Sequence, residues 1–181
     1  MSEGTGPTST GVGDWTRRIR REPATAVEYV DAIDAAALDN EVGFAAEHAR
    51  RYIASGGQDD GWDGPRPILV LYTTGRRSGQ VRRNPLLFWE HGGDRFVIGS
   101  KGGNPAHPAW FLNLLDHPGA QIRVMTEVHQ VTAQVVDTQE RATLWPLLTA
   151  SYPMFADYQA ATLRQIPLIR LVPIIESPDG R

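Results

Sequence analysis

The chain has 181 residues, of which 41% are hydrophobic, carries a net charge of −3 and contains no cysteine. A chain of this length fits one domain with a substantial core. The absence of cysteine excludes disulfides, thiolate metal sites and cysteine nucleophiles, and the slightly acidic charge argues against a general nucleic-acid-binding protein. Because we find no secretory signal and no run of roughly 20 apolar residues, we expect a cytoplasmic protein.

The N-terminal third is predicted to contain a tail followed by helices. Residues 1–22 begin with a stretch rich in Gly, Ser, Thr and Pro, so we expect a disordered tail there. Residues 23–57 are rich in Ala and Glu, and we predict a helical region. In its second segment, apolar residues recur at helical spacing; Asn40 is placed to cap this segment, and Gly56 and Gly57 end it.

The next part of the chain, residues 58–175, is predicted to form a β-rich domain, and residues 176–181 a short tail. Apolar runs rich in β-forming residues predict strands at 68–74, 81–91, 95–100, 121–126, 128–136 and 168–172. Helices are predicted at 108–116, 139–151 and 154–163. Pro85 lies within the second strand and therefore predicts an edge position or a bulge. Because strands and helices do not alternate, the pattern favours an α+β barrel over a Rossmann sheet, and it contains neither a dinucleotide fingerprint nor a P-loop.

A positively charged segment lies between residues 75 and 103. It contains six basic and two acidic residues, a local net charge of +4. The basic residues are Arg76, Arg77, Arg82, Arg83, Arg95 and Lys101, the last being the only lysine in the chain. Arginine side chains and backbone N–H groups beside glycine-rich turns are suited to anionic oxygens. The segment therefore predicts a site for a phosphate-bearing ligand.

Four motifs follow one another in this part of the chain: TTGRRSG (73–79), RRNP (82–85), SKGGNPAHPAWFLN (100–113) and YPMFADYQAAT (152–162). As an ordered set they resemble the deazaflavin-dependent nitroreductase family, over roughly residues 40–175. The resemblance implies a split β-barrel of the FMN-binding split-barrel type, with antiparallel strands, short helices and an N-terminal helical region. It also implies an oxidoreductase that transfers a hydride from reduced coenzyme F420 to a quinone, an enone or a nitroaromatic compound.

The resemblance implies that three segments bind the cofactor. The first comprises Thr74, Arg76, Arg77, Ser78, Arg82, Asn84 and Pro85, the second Ser100, Lys101, Gly102 and Gly103, and the third Pro108, Trp110, Phe111 and Asn113. The glycines would permit close approach to a ring, and the start of the third segment's helix could bind anionic oxygens. Without the resemblance, a solvated turn would explain the first segment and core packing would explain Trp110. His107 is interpreted as structural rather than as a general acid.

The resemblance places the acceptor against Ser100, Tyr152 and Tyr158, which are our catalytic candidates. Tyr152, Phe155 and Tyr158 have helical spacing, an arrangement that more often belongs to a core. Phe155 makes this wall apolar, which suits a planar quinone and argues against efficient handling of nitroimidazoles. The proton source is left open between Ser100, a tyrosine and solvent.

Two alternatives remain at this stage: a split-barrel oxidoreductase that binds FMN, and a non-catalytic protein that binds or carries the deazaflavin. We expect a small-molecule hydride acceptor as the partner and no nucleic acid. No metal site is expected, because the five histidines lack chelating spacing. A homodimer and peripheral attachment of the N-terminal region to the inner face of the membrane are both left open.

Overall fold

The computed structural model describes residues 33–40, 43–59 and 66–174. The two predicted tails lie outside these residues, as does part of the predicted N-terminal helical region. The domain boundaries therefore stay predictions.

Six strands form the centre of the molecule. They are β1 (Ile68–Thr74), β2 (Val81–His91), β3 (Asp94–Ile98), β4 (Gly119–Val124), β5 (Glu127–Val135) and β6 (Leu168–Pro173). Antiparallel pairing closes them into a barrel in the order β1-β2-β3-β6-β5-β4. This architecture confirms the predicted α+β split barrel. The predictions for β3, β4 and β5 were shifted: β3 ends at Ile98, and the turn between β4 and β5 lies at Met125 and Thr126, where Met125 has a φ of 56°.

Strand β2 pairs with β1 along its first part and with β3 along its last part. Its register with β1 is unbroken up to Leu87, with Pro85 opposite Val70, and its pairing with β3 begins only at Phe88. On the side away from β1, its first half has an isolated parallel bridge from Leu38 to Arg82. The edge position predicted from Pro85 is therefore confirmed, and the bulge was wrong because the register is continuous.

Among the described residues, four helices pack on the barrel: α1 (Gly43–Ala54), α2 (Ala109–Asp116), α3 (Thr138–Ser151) and α4 (Met154–Ala160). Residues 33–36 are also helical, and Lys101–Gly103 form a 3-10 turn. Helix α4 ends three residues earlier than predicted. The Gln159 amide donates to the carbonyls of Thr162 and Arg164 at 3.4 and 2.8 Å and holds the chain in a turn. None of the described helices is long and apolar enough to cross a bilayer.

The hydrophobic residues form three packed clusters. Inside the barrel, strand residues such as Leu71 and Ile122 pack against Trp110 and Phe111 of α2. Helices α3 and α4 cover the outer face of β3 and β6, and Phe155 is buried there. The N-terminal helices cover β1 on the remaining outer face. Each helix thus buries one apolar face on the barrel, as expected for short amphipathic helices.

Charged groups fasten the N-terminal region to the barrel. The carboxylate of Asp34 accepts hydrogen bonds from the Tyr72 hydroxyl and the Arg123 guanidinium. Burial, reinforced by Asp34, raises the pKa of Tyr72, so this phenol stays protonated and donating. Arg83 donates to Asp39 at 2.5 Å and to the Asp34 carbonyl at 3.2 Å. We infer that residues 33–40 are part of the folded unit, since charges buried and paired in this way are costly to separate.

Antiparallel pairing brings the last residues of β1, β3 and β5 to the same end of the barrel as the first residues of β2, β4 and β6. Helix α2 lies there, so we call it the α2 end. The other end, with Glu90, Arg95 and Glu127, is called the far end.

Candidate active site

Two loops that the sequence singled out lie at the α2 end. One is the basic turn, residues 75–80, which joins β1 to β2. The other is the Lys101 loop, residues 99–104, which follows β3. Both contact α2 or the segment just before it, as described below.

The basic turn is closed by its own backbone. Gly75 N–H donates to the Gln80 carbonyl at 2.8 Å, and Gly79 N–H donates to the Gly75 carbonyl at 2.7 Å. The Ser78 hydroxyl accepts from the Gln80 N–H at 3.3 Å. Arg77 and Ser78 are exposed. The turn thus presents a guanidinium and a hydroxyl to solvent from a fixed backbone.

Asn113 ties this turn to α2. Its side-chain oxygen accepts from the backbone N–H and the Nη1 of Arg76 at 3.2 and 3.3 Å, and its Nδ2 donates to the Thr73 hydroxyl at 3.1 Å. Asn113 is only 4% exposed. The structure therefore shows that Asn113 positions Arg76, and its direct contact with the cofactor stays a prediction.

The Lys101 loop has an unusual backbone. Lys101, Gly102 and Gly103 have φ angles of 47°, 59° and 80°, a region that L side chains rarely adopt. The Lys101 side chain is exposed, and a Cβ at Gly102 would meet nothing within 4 Å. A Cβ at Gly103 would lie 2.8 Å from the Tyr158 carbonyl oxygen. Gly103 therefore lies where the loop approaches the backbone of α4 closely, and the approach of a ring to the two glycines stays a prediction.

The helix α2 residues divide between core and surface roles. Pro108 occupies the N-cap position and is buried. Trp110 and Phe111 are 6% and 5% exposed and pack inside the barrel. Their side chains plug the α2 end, in agreement with the core interpretation of Trp110. Since α2 has eight residues and rises about 1.5 Å per residue, it is about 12 Å long.

The three β2 candidates lie beside the basic turn. Arg82 and Asn84 share a face of β2 with Phe88, which packs inside the barrel, and Arg83 points to the opposite face. This alternation agrees with the expectation that only one of the two arginines faces the site. Asn84 is buried and its Oδ1 accepts from the Asn40 amide at 2.6 Å. Pro85 is half-buried.

The two catalytic tyrosine candidates lie in different surroundings. Tyr158 is half-buried on α4, next to the Lys101 loop through its backbone contact with Gly103. Tyr152 lines a cleft of about 320 Å³ whose other residues include Arg66 and Met154. Burial and then Glu90 raise the pKa of Tyr152, while Arg66 opposes the shift. Phe155 separates the two rings, with centroid distances of 6.3 and 6.0 Å.

Arg164 is a site residue that the sequence reasoning missed. Its guanidinium donates to the carbonyls of Gly99, Ser100 and Asn104 at 3.0, 2.6 and 2.8 Å. Its Nη1 also lies 3.3 Å from His107 Nδ1. Burial, followed by the nearby Arg164 charge, lowers the pKa of His107, which agrees with a structural histidine. Arg164 lies between α4 and β6, in a segment whose sequence has no pattern that predicts contact with the Lys101 loop.

The arrangement is a barrel end that carries basic loops and hydroxyl groups. Within the described residues, no group of three His, Asp or Glu side chains is placed to hold a metal ion. Such a surface can bind an anionic organic ligand along α2 and place its reactive part near Ser100 and Tyr158. Those features are typical of split-barrel enzymes that use a soluble redox cofactor.

Comparison with known proteins supports this class. A family model described as F420H(2)-dependent quinone reductase matches residues 44–173, and the chain belongs to that family. An F420H(2)-dependent quinone reductase of Mycobacterium tuberculosis is 33% identical over 111 residues, 60% of this chain and 74% of that protein. The predicted resemblance and the prediction of an F420-dependent reductase are thereby confirmed.

Two solved structures resemble the barrel. A structure described as an F420-H2 dependent reductase has a TM-score of 0.53 and 36% identity, covering 59% of this chain and 94% of its own. Another, described as a domain-swapped dimer, has a TM-score of 0.55 and 34% identity, covering 69% and 94%. Family membership implies F420 as the cofactor rather than FMN, and an enzyme rather than a carrier. Cytoplasmic location, homodimer formation and membrane attachment stay predictions.

Proposed function

We propose that this protein reduces a quinone with reduced F420 at the α2 end of the barrel. The observation that carries the proposal is the placement of two anion-binding elements, the basic turn and the Lys101 loop, around the same short helix. An F420 molecule has a ring at one end and a phosphate and glutamate tail at the other. A site for it needs positive charge next to an open ring platform.

The residues present fit such a molecule. Arg77 and Ser78 are exposed on a closed turn, where they can bind a phosphate or a carboxylate. Arg76 is oriented by Asn113, and Thr74, Arg82, Asn84 and Pro85 form the neighbouring surface. Charge-assisted contacts of this kind are worth roughly 1.5–3 kcal/mol each.

The Lys101 loop and the start of α2 would hold the ring. Lys101 extends into solvent, and the open space at Gly102 leaves room for a flat ligand. Gly103 would fix the backbone of the Lys101 loop against α4, and Pro108 would fix the start of α2. Trp110 and Phe111 would keep water out of the barrel beneath the site. F420 supplies the hydride when bound, and the protein supplies orientation and a dry surface.

The acceptor would lie on the α4 side of the Lys101 loop. Tyr158 and Ser100 bring hydroxyl groups to this side, and buried Phe155 gives it an apolar base. Reduction of a quinone to a hydroquinone needs a hydride and one proton, and Ser100, Tyr158 or solvent can donate the proton. Tyr152 remains a candidate, although it precedes α4, at the C-cap of α3, and lines a cleft with Arg66. An enone or a nitroaromatic compound would need the same hydride geometry.

A titration followed by a turnover assay tests this proposal. We expect the wild-type protein to bind F420, followed by fluorescence, in preference to FMN, and to oxidise reduced F420 in the presence of menadione. Tight FMN binding with no F420 binding would contradict the cofactor. F420 binding without turnover of menadione, enones or nitroaromatics would contradict the enzymatic function.

A matched pair of variants locates the site. Arg77→Ala removes an exposed guanidinium from the basic turn, and we expect weaker F420 binding. Arg51→Ala removes an exposed guanidinium from α1, where Arg51 pairs with Asp59 at 2.8 Å. We expect no change in F420 affinity for this control. Equal effects of both variants would show that general surface charge, and not the basic turn, binds the cofactor.

A further inference from the structure

The Lys101 loop is held by one side chain from a distant part of the sequence. Arg164 follows α4, more than 60 residues after Lys101, yet its Nε, Nη1 and Nη2 donate to the carbonyls of Asn104, Gly99 and Ser100. A planar guanidinium with donors in fixed directions can satisfy several carbonyls at once, which an ammonium group cannot do in the same way.

The loop needs this support because of its own backbone. Three consecutive residues have positive φ, including the non-glycine Lys101. Within the loop, Gly103 N–H donates to the Ser100 carbonyl at 3.0 Å and Asn104 N–H donates to the Lys101 carbonyl at 3.1 Å. A sparsely populated backbone conformation persists only when the surrounding structure over-determines it. The guanidinium of Arg164 binds carbonyls on both sides of the strained residues.

Arg164 is itself held in place. The Gln159 amide donates to the Arg164 carbonyl at 2.8 Å and accepts from the Ile166 N–H at 2.9 Å. Arg141 of α3 donates to Gln159 at 2.9 Å and to the Ile166 carbonyl at 2.9 Å. The segment that carries Arg164 is therefore fixed to α3 and α4. Since α4 also carries Tyr158, one network supports the Lys101 loop and the proposed acceptor wall.

We propose that Arg164 is a positioning residue that holds the Lys101 loop in the conformation that binds F420. The proposal rests on the proposed function of the α2 end. Arg164 does not act as an anion-binding group, because its donors already point at backbone carbonyls. Its effect passes through the loop, and it should therefore change the affinity for F420 more than the chemical step.

The test is Arg164→Lys, which keeps the charge and loses the planar set of donors. If the binding conformation of the loop falls to about one-tenth of the population, the apparent F420 dissociation constant rises about tenfold. The KM for reduced F420 should rise in parallel, and kcat with menadione at saturating cofactor should stay within about twofold. Hydrogen exchange of the Gly103 and Asn104 amides in the free protein should become faster.

Arg170→Lys is the matched control. Arg170 is also a half-buried arginine with several hydrogen bonds, but its partners are the carboxylates of Asp94 and Glu140, on the outer face of the barrel. We expect neither faster exchange in the Lys101 loop nor weaker F420 binding for this control. Should Arg164→Lys fail to fold, Gln159→Met loosens the same segment without removing the guanidinium, and about threefold weaker F420 binding is expected.

The results separate the possible failures. Unchanged exchange in the loop overturns the structural role of Arg164. Faster exchange with unchanged F420 affinity, or a fall in kcat at unchanged affinity, overturns its role in cofactor binding. If the wild-type protein itself does not bind F420, the proposed function fails and the role in cofactor binding fails with it, while the exchange data still report on the loop.

Discussion

At the α2 end of the barrel, three basic side chains have neutral partners or extend into solvent. Arg76 bonds to the Asn113 amide, Arg164 bonds to backbone carbonyls, and Lys101 is exposed. At the far end, Arg95 is completely buried and pairs with Glu90 at 2.6 Å, and its guanidinium lies 4.3 Å from the Phe88 ring centroid. Arg76 and Arg164 thus bind neutral groups at the α2 end, whereas the charge of Arg95 at the far end is balanced by a carboxylate.

This contrast explains which basic residues of the positively charged segment, residues 75–103, can bind an anionic ligand. Arg83 and Arg95 lie within it, but each has a carboxylate partner, Asp39 and Glu90 respectively. Arg76, Arg77 and Lys101 have no carboxylate partner among the described residues. A count of basic and acidic residues along the sequence therefore overestimates the positive potential at the site. An arginine that is paired with a carboxylate contributes little to the attraction of an anion.

The largest expected effect comes from breaking the Glu90–Arg95 ion pair at the far end. Glu90→Ala removes a carboxylate that pairs with a fully buried guanidinium at 2.6 Å, and breaking a buried ion pair costs about 3–5 kcal/mol. Urea unfolding should show this loss in the free energy of unfolding, while the folded protein should bind F420 normally. The control Asp94→Ala breaks a more exposed pair with Arg170, which keeps Glu140, and should cost less than about 1 kcal/mol. Similar losses in both variants would remove the distinction.

The next effect concerns the α2 end directly. Lys101→Ala removes a charge-assisted contact worth roughly 1.5–3 kcal/mol, so F420 affinity should fall about ten- to a hundredfold at matched ionic strength. The melting temperature should hardly change, because the Lys101 side chain is exposed. Lys101→Arg, which retains the charge, should recover part of the affinity. Unchanged F420 binding in Lys101→Ala would make this lysine an ordinary surface charge.

Alanine substitutions at the two glycines of the Lys101 loop test what constrains the backbone of this loop. Gly103→Ala combines a positive φ with a Cβ placed 2.8 Å from the Tyr158 carbonyl oxygen, and we expect a loss of stability of about 2 kcal/mol. Gly102→Ala meets nothing within 4 Å and should cost only the backbone term, about 1 kcal/mol. Thermal unfolding of the two variants measures the difference. Equal costs would show that contact with α4 does not constrain Gly103.

The smallest effect separates the two tyrosines. Tyr158→Phe removes one hydroxyl near the Lys101 loop and should lower kcat/KM for menadione by about 1 kcal/mol, roughly fivefold, with F420 affinity nearly unchanged. Tyr152→Phe should have a smaller effect, because Tyr152 lies in the cleft with Arg66. If Tyr158→Phe weakens F420 binding tenfold and leaves turnover intact, Tyr158 belongs to the cofactor site.

The sequence by itself determined much of this protein. Apolar runs rich in β-forming residues predicted β1 and β2 with the boundaries that the structure has. Pro85 predicted an edge position because its ring removes an N–H donor. The ordered motifs with Lys101 and Tyr158 predicted the family, because each motif is local in the chain.

Only the tertiary structure decided how distant residues combine. Three features follow from which elements pack together in the barrel: Arg95 is buried, Arg83 has a carboxylate partner, and Tyr152 is separated from Tyr158. Arg164 could not be predicted, because its partners are backbone carbonyls, which every residue has, and they lie 60 or more residues away. Sequence patterns record side-chain chemistry and local geometry, whereas the direction of a guanidinium towards a distant loop depends on the packing of the whole chain.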